Sequence, residues 1–251
     1  MLTIERHEII LSLLKERVTV KMQELVDETN ASESTIRRDL TDLEKANKLK
    51  RIHGGATLLQ KKLEEPTVAE KTIKNSQEKK KIAEKAASLV DEGDCIFLDA
   101  GTSTVEMIPF LEGREVVVVT NGLSNIPLLI DLNIETHVVG GYVKSGTRAF
   151  IGRSAIRTLE SFRFDKAFIG VNGVAIPDGY TTPDPEEAFI KESAIKRSRQ
   201  SYILADHSKF GEVSFSKFSN IEEAILVTST NVDEEYLCNL RKMTTLEVVS
   251  L

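Results

Sequence analysis

Along residues 3–45, apolar side chains recur every three or four positions. Ile9, Ile10, Leu13 and Leu14 form one set, Met22, Leu25 and Val26 a second, and Ile36, Leu40 and Leu43 a third. That spacing predicts three short amphipathic helices. The β-prone Val18-Thr19-Val20 separates the first two, and Asn30-Ala31 makes the turn between the last two. Thr3 is placed to cap the first helix, and Ser32 the third, with Glu33 in its first turn. At about 100° per residue, Ile36, Leu40 and Leu43 share one side of the third helix. Ser34, Arg38, Thr41 and Lys45 lie nearly opposite, with Thr35 and Arg37 flanking them. Residues 49–58 then read as two strands around a Gly54-Gly55 turn.

The pattern changes further along. Residues 61–75 are polar, contain Pro66, and read as a linker with about one helical turn. Helical spacing returns at 77–91 through Ile82, Ala83, Ala86, Leu89 and Val90. Short apolar runs at 95–98, 115–120, 135–139, 166–171, 201–205 and 224–228 then alternate with helical stretches at 103–111, 123–131, 153–161, 185–199 and 233–242. Alternation of this kind predicts an α/β domain with a mostly parallel sheet. The expected division is a winged helix-turn-helix head at 3–58 (its helix-turn-helix at about 20–39), a linker at 59–76, and a larger domain at 77–251.

With 251 residues, 41% hydrophobic and 29% charged, the chain has material for a head and one larger core. No apolar run is long enough to cross a bilayer, and acidic residues close to Met1 leave no signal-peptide pattern. The expectation is therefore a cytoplasmic protein with no membrane partner. Cys95 and Cys238 are expected to be reduced packing residues, and no Cys/His spacing points to zinc, so no metal and no cofactor is expected.

The net charge of −6 sits badly with a DNA-binding reading until its distribution is seen. Residues 1–60 hold ten basic and ten acidic side chains, and 61–251 hold 23 and 29. Within 45–62, however, Lys45, Lys48, Lys50, Arg51, Lys61 and Lys62 stand without a single acid. Phosphate contact depends on the field within about one Debye length, roughly 8–10 Å in ordinary salt. The outward face of the third helix offers Ser34, Thr35, Arg37, Arg38, Thr41 and Lys45. Small hydroxyls allow close approach, and Arg can bridge two acceptors on guanine. Lys50, Arg51 and His53 would follow phosphates or a minor groove; His53 reads equally as a residue bonded within its own turn. A solvated charged face is the ordinary reading of any amphipathic helix, but a preceding helix, a tight turn and a basic hairpin together favour DNA.

In the larger domain several polar turns fall at strand ends, where parallel sheets gather ligands. Asp99-Ala100-Gly101-Thr102-Ser103-Thr104 follows a strand and opens a helix, an arrangement suited to anions. Asn121-Gly122, Gly140-Gly141, Gly170-Val171-Asn172-Gly173 and Asp206-His207-Ser208-Lys209 end further strands. Each alone is ordinary turn chemistry; in succession they favour one pocket for a phosphorylated polyol. Lys209 and Arg148 are the cations for its phosphate, and Asp99, Asn121, Asn172 and Asp206 the partners of its hydroxyls. Asp184, Pro185 and Glu187 read as a cap, a first helical position and a capping box, while Thr181, Thr182 and Lys191 are expected to face the pocket.

The 34–40 segment and His53-Gly54-Gly55-Ala56 resemble the signature of the DeoR family of bacterial sugar-metabolism repressors. The 99–104 loop, the Asn121 turn, Gly170–Gly173, 180–187 and 206–211 are similar to that family's sensor domain, so the resemblance spans nearly the whole chain. It implies a sensor fold related to ribose-5-phosphate isomerase and the CoA-transferase-like group, operator double-stranded DNA as partner, a homo-oligomer (dimer or tetramer), and a phosphorylated sugar as effector. Within the family, the wording most resembles fructose-operon repressors. That implies repression of fructose uptake and catabolism relieved by fructose 1-phosphate; tagatose 6-phosphate and glycerol 3-phosphate are the alternative effectors. An isomerase is the competing reading, since it would share the fold. Its Asp-Gly-Ala-Asp-Glu pattern is absent, and Asn172, which stands at the corresponding turn, is no carboxylate base. The chain is therefore expected not to be an enzyme.

Overall fold

The computed structural model describes residues 2–17, 19–46, 48–52, 54–58 and 67–251. The chain divides into two compact units, 1–61 and 62–251.

The first unit runs α1 (Thr3–Arg17), β1 (Thr19–Lys21), α2 (Met22–Thr29), α3 (Glu33–Lys45), β2 (Leu49–Ile52) and β3 (Gly55–Leu58). The three strands form an antiparallel sheet in the order β1-β3-β2. Ile10, Leu14, Val20, Leu25, Ile36, Leu40 and Leu49 are buried together. Each large aliphatic side chain so buried stabilises the head by about 1.5–3 kcal/mol. Asn30 ends α2 in the left-handed region, at φ 52°. Ser32 caps α3, its hydroxyl accepting from Thr35 N at 3.3 Å. Thr3 does not cap α1; it is the first helical residue, and Leu2 N donates to Glu5 Oε2 at 2.8 Å just ahead of it. At the wing, a Cβ on Gly55 would stand 2.2 Å from the Val20 carbonyl oxygen, so only glycine lets β3 approach β1 there.

The second unit runs α4 (Val68–Ile73), α5 (Ser76–Ala87), β4 (Cys95–Leu98), α6 (Thr102–Val105), β5 (Val117–Thr120), α7 (Asn125–Asp131), β6 (Glu135–Val138), β7 (Tyr142–Lys144), β8 (Ala149–Ile151), α8 (Arg153–Leu159), β9 (Phe164–Gly170), β10 (Gly173–Ala175), β11 (Gly179–Thr182), α9 (Pro185–Lys196), β12 (Ser198–Leu204), β13 (Ser216–Ser219), β14 (Ile225–Ser229), α10 (Glu234–Leu240) and β15 (Leu246–Val249). Seven strands form a wholly parallel sheet in the order β15-β14-β12-β9-β4-β5-β6. Alternate residues feed opposite faces. Ile96, Leu98, Phe168 and Leu204 pack under α5 and α7, and Phe97, Ile169, Ile203 and Leu226 under α8, α9 and α10. The expected parallel sheet is therefore present.

Several expectations need correction. The stretch at 103–111 breaks after Val105 and resumes as a 3-10 turn at Ile108–Leu111, where Pro109 supplies no N–H. The helix expected at 185–199 stops at Lys196, because Ser198 already pairs with Phe164 across β12 and β9. Cys95 lies in β4 as expected, but Cys238 is exposed on α10 rather than packed; both are free. Among the described residues no helix is long and apolar enough to cross a membrane.

Candidate functional site

The head presents α3 outward. Ser34, Arg37, Arg38 and Lys45 are exposed, and Thr35 and Thr41 half-buried. Arg38 has no partner among the described residues. Arg37 is drawn along the helix by Glu33 at 2.5 Å. Thr41 links helix and wing: its hydroxyl donates to the Arg37 carbonyl at 2.8 Å and accepts from Arg51 Nη1 at 2.8 Å. Arg51 N also donates to Glu44 Oε1 at 2.8 Å, which places β2 beside α3. Lys50 sits half-buried on the same strand. His53 lies outside the described residues. Behind the face, Asp39 is 2% exposed and accepts from Arg6 Nε at 2.7 Å and Nη2 at 3.0 Å. Hydrogen bonding to Asp39 holds the Arg6 guanidinium above its ordinary pKa. This bidentate pair fixes α3 to α1 and so sets the angle of the outward face.

In the second unit, β4, β5, β9 and β12 all deliver their carboxyl ends to one edge. The chain proceeds from β4 outward to β5 and β6, then returns to the other flank of β4 with β9, so the strand order reverses between β4 and β9. Parallel sheets open a crevice at that point, and a small cleft of about 40 Å3 lies there. The turn after β4 is held rigid. Asn121 Oδ1 accepts from Ala100 N at 2.9 Å, and Thr104 donates to the Asp99 carbonyl at 2.7 Å and accepts from Gly101 N at 3.0 Å. Asp99 Oδ2 accepts from Gly170 N at 3.0 Å and from Lys191 Nζ, which also donates to the Gly170 carbonyl at 3.1 Å. One buried ion pair thus joins the ends of β4 and β9 to α9.

Gly101, Thr102, Ser103, Asn172, Lys191 and Lys209 line the cleft. Asn172 is oriented by Thr182, whose hydroxyl donates to its Oδ1 at 3.0 Å. Asp99, Asn121 and Thr104 stand behind it and position its wall. Asp206 is buried; Ser208 and Asn75 donate to its Oδ1, and Lys209 Nζ is 4.0 Å from its Oδ2. Burial works against the Asp206 charge, but Lys209 and these donors outweigh it and lower its pKa. Burial lowers the pKa of Lys209 despite the attraction of Asp206. Arg148, at φ 53°, lines a second cavity of about 20 Å3 beyond Ala100 and Gly101.

Gly141 and Thr181 are not brought to the cleft. A Cβ on Gly141, at φ 142°, would meet the Ile151 carbonyl oxygen at 2.6 Å, so this glycine serves packing against β8. Thr181 gives its hydroxyl oxygen to Ser214 N at 2.9 Å beside the β10-β11-β13 sheet. Glu187 also departs from expectation. Asp184 does cap α9, accepting from Glu186 N at 2.8 Å. The Glu187 carboxylate instead turns inward, accepting from Thr147 Oγ1 at 2.7 Å and Lys144 Nζ at 3.0 Å, and lines the cleft.

Lys71 and Lys79 line the cleft as well, and sequence reasoning missed both. Lys79 carried a signal: it stands three and four residues before Ile82 and Ala83, on the apolar stripe of its own helix. Lys71, in a polar stretch, carried none. Glu78, Asp206 and His207 offer three atoms within 4.8 Å of one another, the only metal-like group among the described residues. Its carboxylates are already engaged: Glu78 takes hydrogen bonds from His207 N at 2.9 Å, the His207 ring at 2.6 Å and Ser229 at 2.6 Å. The hydrogen bond to Glu78 raises the His207 pKa. This carboxylate–imidazole pair fastens the β12 turn to α5, and no metal need be invoked.

A family model described as the DeoR-like helix-turn-helix domain matches residues 6–62, and one described as the DeoR C terminal sensor domain matches residues 74–230. The chain is 50% identical over 250 residues to an uncharacterized HTH-type transcriptional regulator FruR of Bacillus subtilis (strain 168), covering 99% of each. It is 36% identical over 246 residues to a lactose phosphotransferase system repressor of Streptococcus mutans, covering 96% of this chain and 97% of that one. Among solved structures, ribose 5-phosphate isomerase A of Methanocaldococcus jannaschii matches with a TM-score of 0.41 and 19% identity, over 54% of this chain and 55% of that one.

Proposed function

The chain belongs to the DeoR family of helix-turn-helix transcriptional regulators, and from that premise we propose that it represses a sugar-uptake operon and releases it when a phosphorylated sugar fills the cleft. Fructose 1-phosphate is the leading effector, supported by 50% identity to the regulator FruR and by the sequence resemblance to fructose-operon repressors. The observation that carries the reading is the cation-lined cleft at the strand-order reversal, in a chain whose other unit exposes on its third helix an arginine with no partner among the described residues. The protein acts in the cytoplasm as a symmetric oligomer whose paired heads meet successive major-groove faces about 34 Å apart.

Catalysis is the weaker reading. An isomerase needs a carboxylate free to take a proton. Asp99 is engaged by Lys191 and Gly170, and Glu187 by Lys144 and Thr147. Calorimetry with fructose 1-phosphate, fructose 6-phosphate, fructose 1,6-bisphosphate, tagatose 6-phosphate and glycerol 3-phosphate, with NMR of each mixture afterwards, separates the cases. Binding of one sugar phosphate without interconversion is expected; turnover makes the protein an enzyme, and silence throughout removes the sensor role.

A further inference from the structure

α9 has two faces of different character. Inward it sends Ala188, Ile190 and Ala194 into the core, and Glu187 and Lys191 to the cleft. Outward it exposes Glu186, Phe189 and Lys196, with Glu192 and Ser193 half-buried between them. Phe189 is 54% exposed, although an aromatic ring is among the side chains that gain most from burial. The surface on either side of it is hollow. Between α8 and α9 lies a groove of about 350 Å3, lined by Ile156, Phe189 and Ser193 and by the charged Glu160, Arg163 and Lys196. Toward β13 lies a second, of about 490 Å3, which shares Glu192 and Lys196 with the first. α9 is thus a ridge between two grooves, the relief by which helices pack on one another.

The charges on this face say what covers it. A polyanion calls for one sign of charge, and both grooves carry two. Glu186, in the first turn of α9, has no partner for its carboxylate among the described residues, and Lys196, at the far end, pairs with Glu192 on the surface. An exposed pair of that kind is weak, so Lys196 is open to a second carboxylate. When α9 is turned by a two-fold axis against a copy of itself, the helices lie antiparallel. Glu186 then meets the partner's Lys196, Lys196 meets the partner's Glu186, and Phe189 falls on the partner's Ser193, a small residue on the groove wall. The register that stacks Phe189 on the partner's Phe189 would set Glu186 against the partner's Glu192, and like charges oppose it.

We infer that the outer face of α9, with the groove beside α8, is the two-fold interface between two copies of this chain, the Phe189 ring of each seated on the partner's Ser193. This rests on the proposal that the protein works as a symmetric oligomer. A two-fold interface needs a patch complementary to itself, and the order Glu186, Phe189, Ser193, Lys196 along one helix face is such a patch. A stable interface takes roughly 800 Å2 from each partner, and the ridge with its two grooves draws on α8, α9 and β13 together. The inner face of the same helix pairs Lys191 with Asp99 at the cleft, so a single helix carries both the cleft wall and the contact between copies.

The test is sedimentation equilibrium of the full-length protein and of its Phe189→Glu, Glu186→Lys and Lys196→Glu variants, with the double variant Glu186→Lys, Lys196→Glu. Circular dichroism and thermal melts check folding; all three positions are exposed, so the core is untouched. Phe189→Glu is expected to raise the dissociation constant of the pair about a hundredfold or more, since an aromatic anchor counts twice across a two-fold axis; a tetramer would fall to a dimer. Each single charge reversal is expected to weaken the pair about three- to tenfold. The double variant should return to within about threefold of wild type, because opposite signs face each other again. A wild-type assembly that Phe189→Glu leaves intact overturns this interface and leaves the paired regulator standing. A double variant weaker than either single one overturns the antiparallel register. A wild type that stays monomeric, alone and on operator DNA, overturns the paired reading beneath both.

Discussion

The two units use buried charge in opposite ways. In the head, one buried carboxylate, Asp39, is matched by the Arg6 guanidinium and serves to aim a helix; the charges proposed to meet DNA, Arg38 and Lys45 among them, are exposed. In the larger domain the charges turn inward. Lys79, Lys191, Asp99, Asp206 and Glu187 are all buried at the carboxyl edge of the sheet. A macromolecular polyanion needs an exposed, convex, screened surface, whereas a small anion is held where water is excluded and each charge acts more strongly. The same residue types therefore report different partners by where the fold places them.

The sharpest way to break this contrast is to dismantle one side of it. Ile36→Ala removes a fully buried side chain from the head core. It is expected to cost about 2–5 kcal/mol of head stability and to abolish operator binding, while sugar-phosphate binding by calorimetry persists. Loss of both functions would mean the units do not act as separate bodies. Arg38→Ala is expected to cost about 1–3 kcal/mol of operator affinity and to relax base preference at one position. A footprint and affinity equal to wild type would remove Arg38 from the reading face. Lys209→Ala should abolish release of the operator by the effector, and normal induction would take Lys209 out of the effector's contacts.

A pH series sharpens the inward side. With its pKa lowered to about 8 from 10.5, Lys79 is protonated below pH 8 whether or not ligand is present. Above pH 8 the empty site carries a neutral amine, and binding an anion must bring a proton with it. Affinity is therefore flat with respect to this group below about pH 7 and falls by up to about tenfold per pH unit above 8. Lys79→Met should lack that fall; the same slope in the variant would assign it to another group. The smallest effect belongs to the wing. Lys50→Ala should weaken all DNA sequences alike and lower the salt slope by about one unit, and a sequence-selective loss would instead mark Lys50 as a base contact.

Much of the head was legible because its signals are local. The positions of Ile36, Leu40 and Leu43 on a wheel, the Ser32 cap and the Gly54-Gly55 turn fix α3 and the wing within a few residues of chain. The parallel sheet was legible in the same way from alternating apolar runs. The strands β7, β8, β10, β11, β13 and β15 were not. Each spans three or four residues, and β11 is buried at all four positions, so no alternation marks it. At the cleft, the turns were visible but their depth was not. Gly141 sits at a turn like those that reach the cleft, and packing against Ile151 diverts it; Thr181 lies inside β11, where its hydroxyl accepts from Ser214 N. Glu187 satisfied the spacing of a capping box, yet Lys144 and Thr147, forty or more residues earlier, offered stronger partners. Pairings over that distance leave no trace in local pattern.

The most direct measurement of the whole account is the fluorescence anisotropy of a labelled operator duplex bound by the full-length protein, followed while fructose 1-phosphate is added. The account predicts tight binding at moderate salt and saturable release by the sugar phosphate, with fructose itself inert. A complex that ignores fructose 1-phosphate and every other phosphosugar, or a protein that never grips the duplex, would contradict it.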